Sequence, residues 1–196
     1  MKKVILIHGW GGYPDNNWFP WLKKELEKRN WKVIVPAMPD AKKPEINSWI
    51  NKIKEVSESI DEDTYFVGHS VGCQAILRYL QTIDAKIKIG GGVFVAPWMA
   101  LDEETIKEGE DVKALAKPWI ETPIKWDKIK LHTNNFLAIF SDNDSFVPVE
   151  ENKKLFEEKL GAKTIIEKNK GHFDDVADIK KLPVLLEALL VISKWK

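Results

Sequence analysis

Cysteine is almost absent from this chain of 196 residues, in which Cys73 is the one thiol. A single cysteine allows no intramolecular disulfide, so the sequence does not indicate a small extracellular fold held together by disulfides. Long apolar runs are missing as well, and no stretch approaches the ~20 residues that a membrane-spanning helix needs. The apolar run that follows the two N-terminal lysines is too short for the core of a signal peptide. These absences predict a cytoplasmic protein without a membrane partner.

An excess of either charge is also missing, because 30 lysines and arginines balance 30 aspartates and glutamates. Nucleic-acid-binding domains carry a surplus of basic residues, so this balance predicts no nucleic-acid partner. The sequence leaves a protein partner and the oligomeric state open. The length suits a single domain over residues 1–196, large enough to be stable without a metal or a disulfide.

Short apolar segments alternate along the chain with longer segments of helical period. Continuous apolar runs such as residues 4–7 suit strands that are buried on both faces. The predicted strands are residues 3–8, 32–36, 64–68, 89–96, 135–141 and 163–167. The predicted helices are residues 17–29, with Asn16 as N-cap, and residues 46–60, 71–82, 149–160 and 182–194. This alternation predicts an α/β fold of three layers, α/β/α, around a mainly parallel sheet of about six strands.

Residues 97–130 depart from this alternation. The segment contains three prolines, three tryptophans and an acidic run at residues 102–104. It is longer than a simple crossover connection needs. We interpret it either as a small lid over the carboxyl edge of the sheet or as an irregular insertion.

A serine lies in a predicted strand-to-helix turn at residues 68–72, whose sequence is Gly-His-Ser-Val-Gly. The segment matches the G-x-S-x-G pattern, follows an apolar strand and precedes an amphipathic helix. Glycines two residues before and after the serine permit a sharp turn that exposes the serine oxygen. The pattern predicts Ser70 as a nucleophile and the backbone N–H of Val71 as a donor to the developing oxyanion. We interpret His69 as structural and Cys73 as a buried apolar side chain.

A serine hydroxyl needs a base within hydrogen-bond reach to become a good nucleophile. Of the four histidines, only His172 lies in a Gly-His-Phe turn between the last predicted strand and the last predicted helix. The order of nucleophile, acid and base in α/β hydrolases places the acid between Ser70 and His172. Both Ser70 and His172 follow the carboxyl ends of parallel strands, and these ends share one edge of a sheet.

Two aspartates after the fifth predicted strand, Asp142 and Asp144, compete for the role of the acid. The usual spacing places the acid three residues before a Val-Pro pair that starts the next helix, which selects Asp144. Asp142 lies nearer the strand and is better placed to cap a turn.

Glycines also follow the first predicted strand, in the segment His-Gly-Trp-Gly-Gly at residues 8–12. In a hydrolase this loop supplies the second oxyanion donor, which we assign to the backbone N–H of Trp10. A nucleotide-binding loop is disfavoured, because position 14 is proline and Pro36 stands where a ribose-binding carboxylate is required.

These segments resemble the small single-domain serine hydrolases typified by retinoblastoma-binding protein nine and the bacterial YdeN-like proteins. The similarity extends over nearly the whole chain and includes WFPWLKKEL at residues 18–26, GHSVG at 68–72, DSFVP at 144–148 and GHF at 171–173. The resemblance implies a minimal α/β-hydrolase fold, a six-stranded parallel sheet without the two leading strands of larger hydrolases, and Ser70, Asp144 and His172 as the catalytic triad. The first loop departs from the family, in which some members have Pro-Gly-Asn-Gly.

The expected reaction is acyl transfer to water by a serine hydrolase that cleaves small carboxylic esters through an acyl-enzyme, without a cofactor or metal. Trp98, Trp119 and Trp126 are expected to line a mostly apolar substrate pocket. An amidase, peptidase, thioesterase or acyltransferase uses the same triad and stays an alternative. A protein-binding module without catalytic activity is the alternative from a different functional class.

Overall fold

A computed structural model describes residues 1–102, 105 and 110–194. Residues 103, 104 and 106–109 of the predicted insertion, and the last two residues of the predicted domain, lie outside the described residues. Six parallel strands form one sheet in the order β2-β1-β3-β4-β5-β6. The strands are β1 (Lys3–Ile7), β2 (Lys32–Ile34), β3 (Thr64–His69), β4 (Gly91–Val95), β5 (Phe136–Ser141) and β6 (Lys163–Glu167).

The three central strands are buried along their whole length, whereas the edge strands β2 and β6 are partly exposed. The register pairs Leu6 with Val67 and Val67 with Val93, so apolar side chains continue from strand to strand. Burial on both faces explains why these strands are continuous apolar runs in the sequence. All carboxyl ends of the strands meet at one edge, the edge at which the candidate site lies.

Helices cover both faces of the sheet. The helices are α1 (Phe19–Glu27), α2 (Ile46–Val56), α3 (Val71–Leu80), α4 (Glu110–Glu121), α5 (Trp126–Lys130), α6 (Val149–Leu155), which continues as a π-helical turn (Phe156–Leu160), and α7 (Pro183–Ile192). On one face, Leu22 of α1 and Leu189 of α7 share a core with Leu6. On the other face, Ile53 of α2 and Ile76 of α3 pack in a second core. The structure confirms the predicted three-layer α/β/α architecture. Among the described residues, every helix is too short or too polar to cross a bilayer.

The start of α1 corrects the predicted helix boundary. The helix begins at Phe19 with Trp18 as its N-cap, and Asn16 does not cap it. The Asn16 side chain instead accepts a hydrogen bond from the Tyr13 N–H at 2.8 Å. Asn17 has a φ of 53°, in the left-handed region, and so cannot belong to the helix. A local turn therefore replaces the first helical turn that the sequence pattern predicted.

Other predicted elements are shorter in the structure. Strands β2 and β4 end before residues 36 and 96, and α2 ends at Val56 rather than at residue 60. The N–H of Ser57 donates to the Lys54 carbonyl, which closes α2 with a tighter turn. Boundary shifts of this size do not move any of the predicted site residues to another element.

The described part of the insertion is fixed to the body of the fold by buried polar contacts. Arg78 of α3 is fully buried, and its Nη2 donates to the carbonyls of Trp119 at 2.7 Å and Thr122 at 2.8 Å. These carbonyls lie at the C-terminal end of α4, where a cation is favourable. Burial lowers the pKa of Arg78 to about 10. The C-terminal end of α4 is thereby held against α3.

Candidate active site

Ser70 lies at the turn between β3 and α3 in a strained backbone conformation. Its φ of 53° and ψ of −126° are sparsely populated by residues other than glycine and cost about 1–3 kcal/mol. The Ser70 N–H donates to the Val95 carbonyl at 2.9 Å, which fixes the turn to the neighbouring strand. The sharp turn places the serine at the carboxyl edge of the sheet.

Gly68 and Gly72 of this strand-to-helix turn, called the elbow (residues 68–72), are required by close backbone contacts. A Cβ atom on Gly72 would lie 2.5 Å from the carbonyl oxygens of Ile7 and His8. A Cβ atom on Gly68 would lie 2.7 Å from the backbone of Cys73. The spacing seen in the sequence therefore reflects how tightly β1, β3 and α3 approach one another here.

The His172 ring is hydrogen-bonded to the Asp144 carboxylate. The distance between His172 Nδ1 and Asp144 Oδ2 is 2.8 Å, and the Asp144 side chain is 2% exposed. The other carboxylate oxygen accepts N–H groups from Phe146 at 2.9 Å and Val147 at 3.2 Å. Because a carboxylate only accepts, the ring proton lies on Nδ1 and leaves Nε2 free to take a proton.

Asp142 makes a different contact. Its Oδ1 accepts the N–H of Asn169 at 2.8 Å, in the turn that precedes His172. Ser141 and Asn143 hold the same turn, through hydrogen bonds to the N–H groups of Lys170 and Gly171. Asp142 thus supports the turn, and the contact with the imidazole belongs to Asp144.

Ser70 and His172 line the same cavity without a direct hydrogen bond between them in the described structure. The Ser70 hydroxyl oxygen instead accepts the indole N–H of Trp98 at 3.3 Å. Catalytic hydrogen bonds are often long or absent before substrate binds, and a rotation about the serine Cα–Cβ bond changes the hydroxyl's partner. The Trp98 contact describes the resting orientation of this hydroxyl.

The first loop is held by contacts on both sides. The buried His8 ring accepts the Met38 N–H on Nε2 at 3.1 Å and donates from Nδ1 to the Gly9 carbonyl at 2.9 Å. Burial lowers the pKa of His8, and these two hydrogen bonds favour the tautomer with the proton on Nδ1. The Trp10 indole donates to the Lys42 carbonyl at 2.8 Å. These contacts fix the loop at the rim of the cavity.

The predicted oxyanion donors are the backbone N–H groups of Trp10 and Val71. Trp10 lines the cavity, and its backbone N–H has no hydrogen-bond acceptor among the described residues. Val71 is fully buried as the first residue of α3, where an N–H has no partner within the helix. Neither N–H group donates a hydrogen bond to another described residue.

The cavity has a volume of about 380 Å³ and is lined by both apolar and polar side chains. The apolar side chains include Trp98, Leu101, Val112 and Phe146. The polar side chains include Asn16, Asn17, Asp174 and Asp175. The volume falls within the range of small-molecule sites.

No group of three His, Cys, Asp or Glu side chains that could bind a metal ion is found within the described part of the chain.

The family model for serine hydrolases matches residues 4–190. The chain belongs to this family. It is similar to YdeN of Bacillus subtilis (strain 168), with 28% identity over 188 residues, 96% of this chain and 94% of YdeN. It is also similar to the serine hydrolase RBBP9 of Rattus norvegicus, with 26% identity over 176 residues, 88% of each chain. The resemblance inferred from the motifs is confirmed.

Solved structures agree with this membership. The crystal structure of the ydeN gene product from B. subtilis has a TM-score of 0.88 at 27% identity, with 98% of both chains covered. Est1E from Butyrivibrio proteoclasticus, solved with ferulic acid bound, has a TM-score of 0.71 at 16% identity, with 97% of this chain and 90% of that one covered. The second similarity shows the fold alone. Family and relatives together support hydrolase activity for this chain.

Two of the tryptophans expected in the substrate pocket, Trp119 and Trp126, do not line the cavity that holds Ser70. Trp119 is buried, and its indole donates to the Pro44 carbonyl at 3.0 Å. Trp126 packs edge-on against Phe156 of the π-helical turn, with ring centroids 5.9 Å apart. Both side chains belong to the packing of the insertion on the sheet, while Trp98 lines the cavity.

Sequence reasoning missed several residues of the cavity wall. The Phe146 ring packs edge-on against the His172 ring, with centroids 5.1 Å apart. Its position two residues after Asp144 was a usable signal, because that segment must turn towards the base. Asn17 and Val112 had no such signal, since only the folded chain brings them to the cavity.

Two elbow residues that the sequence suggested as structural are buried. Cys73 is fully buried, and burial raises the pKa of its thiol, which disfavours the reactive thiolate. His69 is 4% exposed. Burial, reinforced by the nearby His172 ring, lowers the pKa of His69 to about 3. The His69 ring is therefore neutral at physiological pH.

The depressed pKa of His69 predicts a loss of stability in mild acid. Between its ordinary value of 6.5 and about 3, the unfolded chain binds a proton that the folded protein does not. The free energy of unfolding should therefore fall as the pH falls below 6.5, by up to about 1.4 kcal/mol per pH unit from this one group. Urea unfolding at pH 7, 6 and 5 measures the slope, and His69→Gln is the control without the titrating ring. Equal slopes in the two proteins would contradict this expectation.

Proposed function

We propose that this serine hydrolase cleaves small carboxylic esters, with Ser70 as nucleophile, His172 as base and Asp144 as the acid that orients the base. The observation that carries the proposal is the 2.8 Å contact between Asp144 and His172 at the cavity that holds the strained Ser70. The buried Asp144 carboxylate is itself fixed by two backbone N–H groups. Its position fixes the tautomer that a general base requires.

The reaction begins with attack on the ester carbonyl carbon. The Ser70 hydroxyl turns from Trp98 towards His172, and the oxygen bonds to the carbonyl carbon while His172 Nε2 takes the proton. Asp144 stabilises the resulting imidazolium. The backbone N–H groups of Trp10 and Val71 donate to the oxyanion, where negative charge has developed.

Collapse of the tetrahedral intermediate completes the first half of the reaction. The bond to the alcohol oxygen breaks, and His172 returns the proton to the departing alcohol, which leaves an ester on Ser70. Water then attacks this acyl-enzyme, with His172 as its base, and releases the carboxylic acid and the free serine hydroxyl. No other reactant is needed.

Substrates that share one acyl group test the ester preference. Matched butyryl derivatives of p-nitrophenol, p-nitroaniline and p-nitrothiophenol share the acyl and aryl groups and differ in the atom that joins them. We expect kcat/KM for the p-nitrophenyl ester to exceed that for the anilide by on the order of a thousandfold, because an amide carbonyl is less electrophilic than an ester carbonyl and an aniline is a poorer leaving group than p-nitrophenolate. Equal rates on the anilide favour an amidase, and a preference for the thioester favours a thioesterase. Absence of turnover on all three substrates favours the binding module.

The charges around the cavity predict discrimination against anionic substrates. Asp174 and Asp175 line the cavity, and no lysine or arginine is among the described lining residues. Asp175 is paired with Lys180, whereas the Asp174 carboxylate accepts a hydrogen bond only from the Ala177 N–H among the described residues. We expect p-nitrophenyl hemisuccinate to be hydrolysed with about tenfold lower kcat/KM than the neutral valerate, a gap that added salt narrows.

Asp174→Asn tests the origin of this gap. The substitution should bring kcat/KM for the hemisuccinate closer to kcat/KM for the valerate. Asp178→Asn, on the same loop but outside the cavity lining, should not change this ratio. An unchanged ratio in Asp174→Asn would remove Asp174 from the explanation.

A further inference from the structure

The turn that carries His172 has an unusual backbone. Gly171 and Phe173, the residues on either side of His172, both have positive φ values, 51° and 57°. Phe173 is not a glycine and is fully buried, so its left-handed conformation must be stabilised by its surroundings. Two backbone carbonyls of the turn accept hydrogen bonds from neighbouring side chains, and these hydrogen bonds stabilise the turn.

His69 holds the first of these carbonyls. Its Nε2 lies 2.7 Å from the carbonyl oxygen of His172. The buried ring is neutral and therefore carries one proton, and a carbonyl oxygen only accepts, so this proton lies on Nε2. His69 adjoins Ser70 in the chain. A single hydrogen bond thus links His69, the residue next to the proposed nucleophile, to the backbone of the proposed base, His172.

Trp18 holds the second carbonyl. Its indole Nε1 donates to the carbonyl oxygen of Phe173 at 3.1 Å, and Trp18 is fully buried. The Trp18 ring also packs edge-on against the His69 ring, with centroids 6.0 Å apart. The two donors are therefore in contact with each other and bind consecutive carbonyls of the turn.

We propose that His69 and Trp18, together called the carbonyl clamp, are positioning residues that set the place of His172 relative to Ser70. The inference rests on the proposed role of His172 as the base. Asp144 orients the imidazole ring through Nδ1, and the clamp fixes the backbone from which the ring projects. A displacement of about 1 Å between reacting groups can cost on the order of a hundredfold in rate. Loss of a clamp donor also leaves a buried carbonyl without its partner, which favours movement of the turn.

Two variants of His69 separate donation from packing. His69→Gln keeps an N–H donor at a similar distance from the backbone, while His69→Met has a similar length and no donor. We expect His69→Met to lower kcat by roughly tenfold to a hundredfold with KM changed by less than about twofold. His69→Gln should recover most of this loss. The rate of fluorophosphonate labelling should fall in parallel with kcat, because labelling depends on activation of Ser70.

Trp18→Phe tests the second donor without changing the elbow. It should lower kcat by roughly threefold to tenfold. Trp31→Phe is the matched control, since Trp31 is a buried tryptophan of the same core that packs against Tyr65 and has no hydrogen bond to the His172 turn among the described residues. Thermal unfolding of all four variants identifies any loss of kcat that is caused only by a loss of stability.

The outcomes distinguish the clamp from the proposed function. Three results would overturn the clamp while the wild-type enzyme stays active. The first is an equal loss of kcat in His69→Gln and His69→Met, and the second is a change confined to KM. The third is a loss of kcat in Trp18→Phe that is no larger than the loss in Trp31→Phe. A wild-type protein that neither turns over esters nor reacts with the fluorophosphonate overturns the proposed function itself. If His69→Met does not fold, the comparison of Trp18→Phe with Trp31→Phe still decides.

Discussion

Replacement of Ser70 with alanine is expected to lower kcat for ester hydrolysis on the order of a millionfold. The loss is large because the acyl-enzyme cannot form without the serine oxygen, and only substrate binding and oxyanion stabilisation remain. The Ser70 backbone is held at a φ of 53°, which alanine also tolerates poorly, so the variant does not relieve the strain. Steady-state kinetics with p-nitrophenyl butyrate measure the effect.

Two controls belong to this experiment. Ser48→Ala removes an exposed serine hydroxyl on α2 and should leave kcat unchanged. Cys73→Ala should retain activity, because the buried thiol has a raised pKa and is not an effective nucleophile. Activity that survives in Ser70→Ala, or that disappears in Cys73→Ala while the fold is intact, would transfer the nucleophile's role to another residue.

The second large effect is expected at Asp144. In Asp144→Asn, an amide replaces the carboxylate that accepts the His172 Nδ1–H, and the imidazole is then held in the wrong tautomer. We expect kcat to fall by at least about a thousandfold, given that the same change in a triad costs on the order of ten-thousandfold. Steady-state kinetics measure the rate, and titration of active sites measures the fraction of protein that is active. Together they distinguish a lower kcat from a smaller amount of active enzyme.

Asp142→Asn is the matched control for this change. Asp142 lies on the same loop and contacts the Asn169 N–H rather than His172. An asparagine oxygen still accepts that N–H, so we expect a cost of about 1 kcal/mol or less in the free energy of unfolding and little change in kcat. Reversed losses in the two variants would assign the orienting role to Asp142.

Local patterns predicted those parts of the site that depend on local geometry. The elbow around Ser70 lies where the sequence placed it, because a turn between β3 and α3 this tight requires glycine at 68 and 72. The contact between His172 and Asp144 could be predicted from the topology of the sheet, because the carboxyl ends of parallel strands lie at the same edge of a sheet.

Other features depend on contacts that no local pattern contains. The Asn16 amide donates to the distant Asp175 carboxylate instead of capping α1, so the local cap signal was overridden by the fold. Trp119 and Trp126 were expected in the pocket because the insertion is rich in tryptophan, but helical period does not show which face of an irregular segment meets the cavity. His69 lies 103 positions from its carbonyl partner, so only the folded chain assigns it a role.

Peptide mapping by mass spectrometry after reaction of the wild-type protein with a fluorophosphonate tests the central claim most directly. The proposed mechanism predicts one phosphonyl group per chain, located on Ser70, because this hydroxyl lies on a strained turn in the cavity that also holds a base whose Nε2 is free. The labelling should be lost in His172→Ala. No adduct on the folded protein, or an adduct on any residue other than Ser70, would contradict the account.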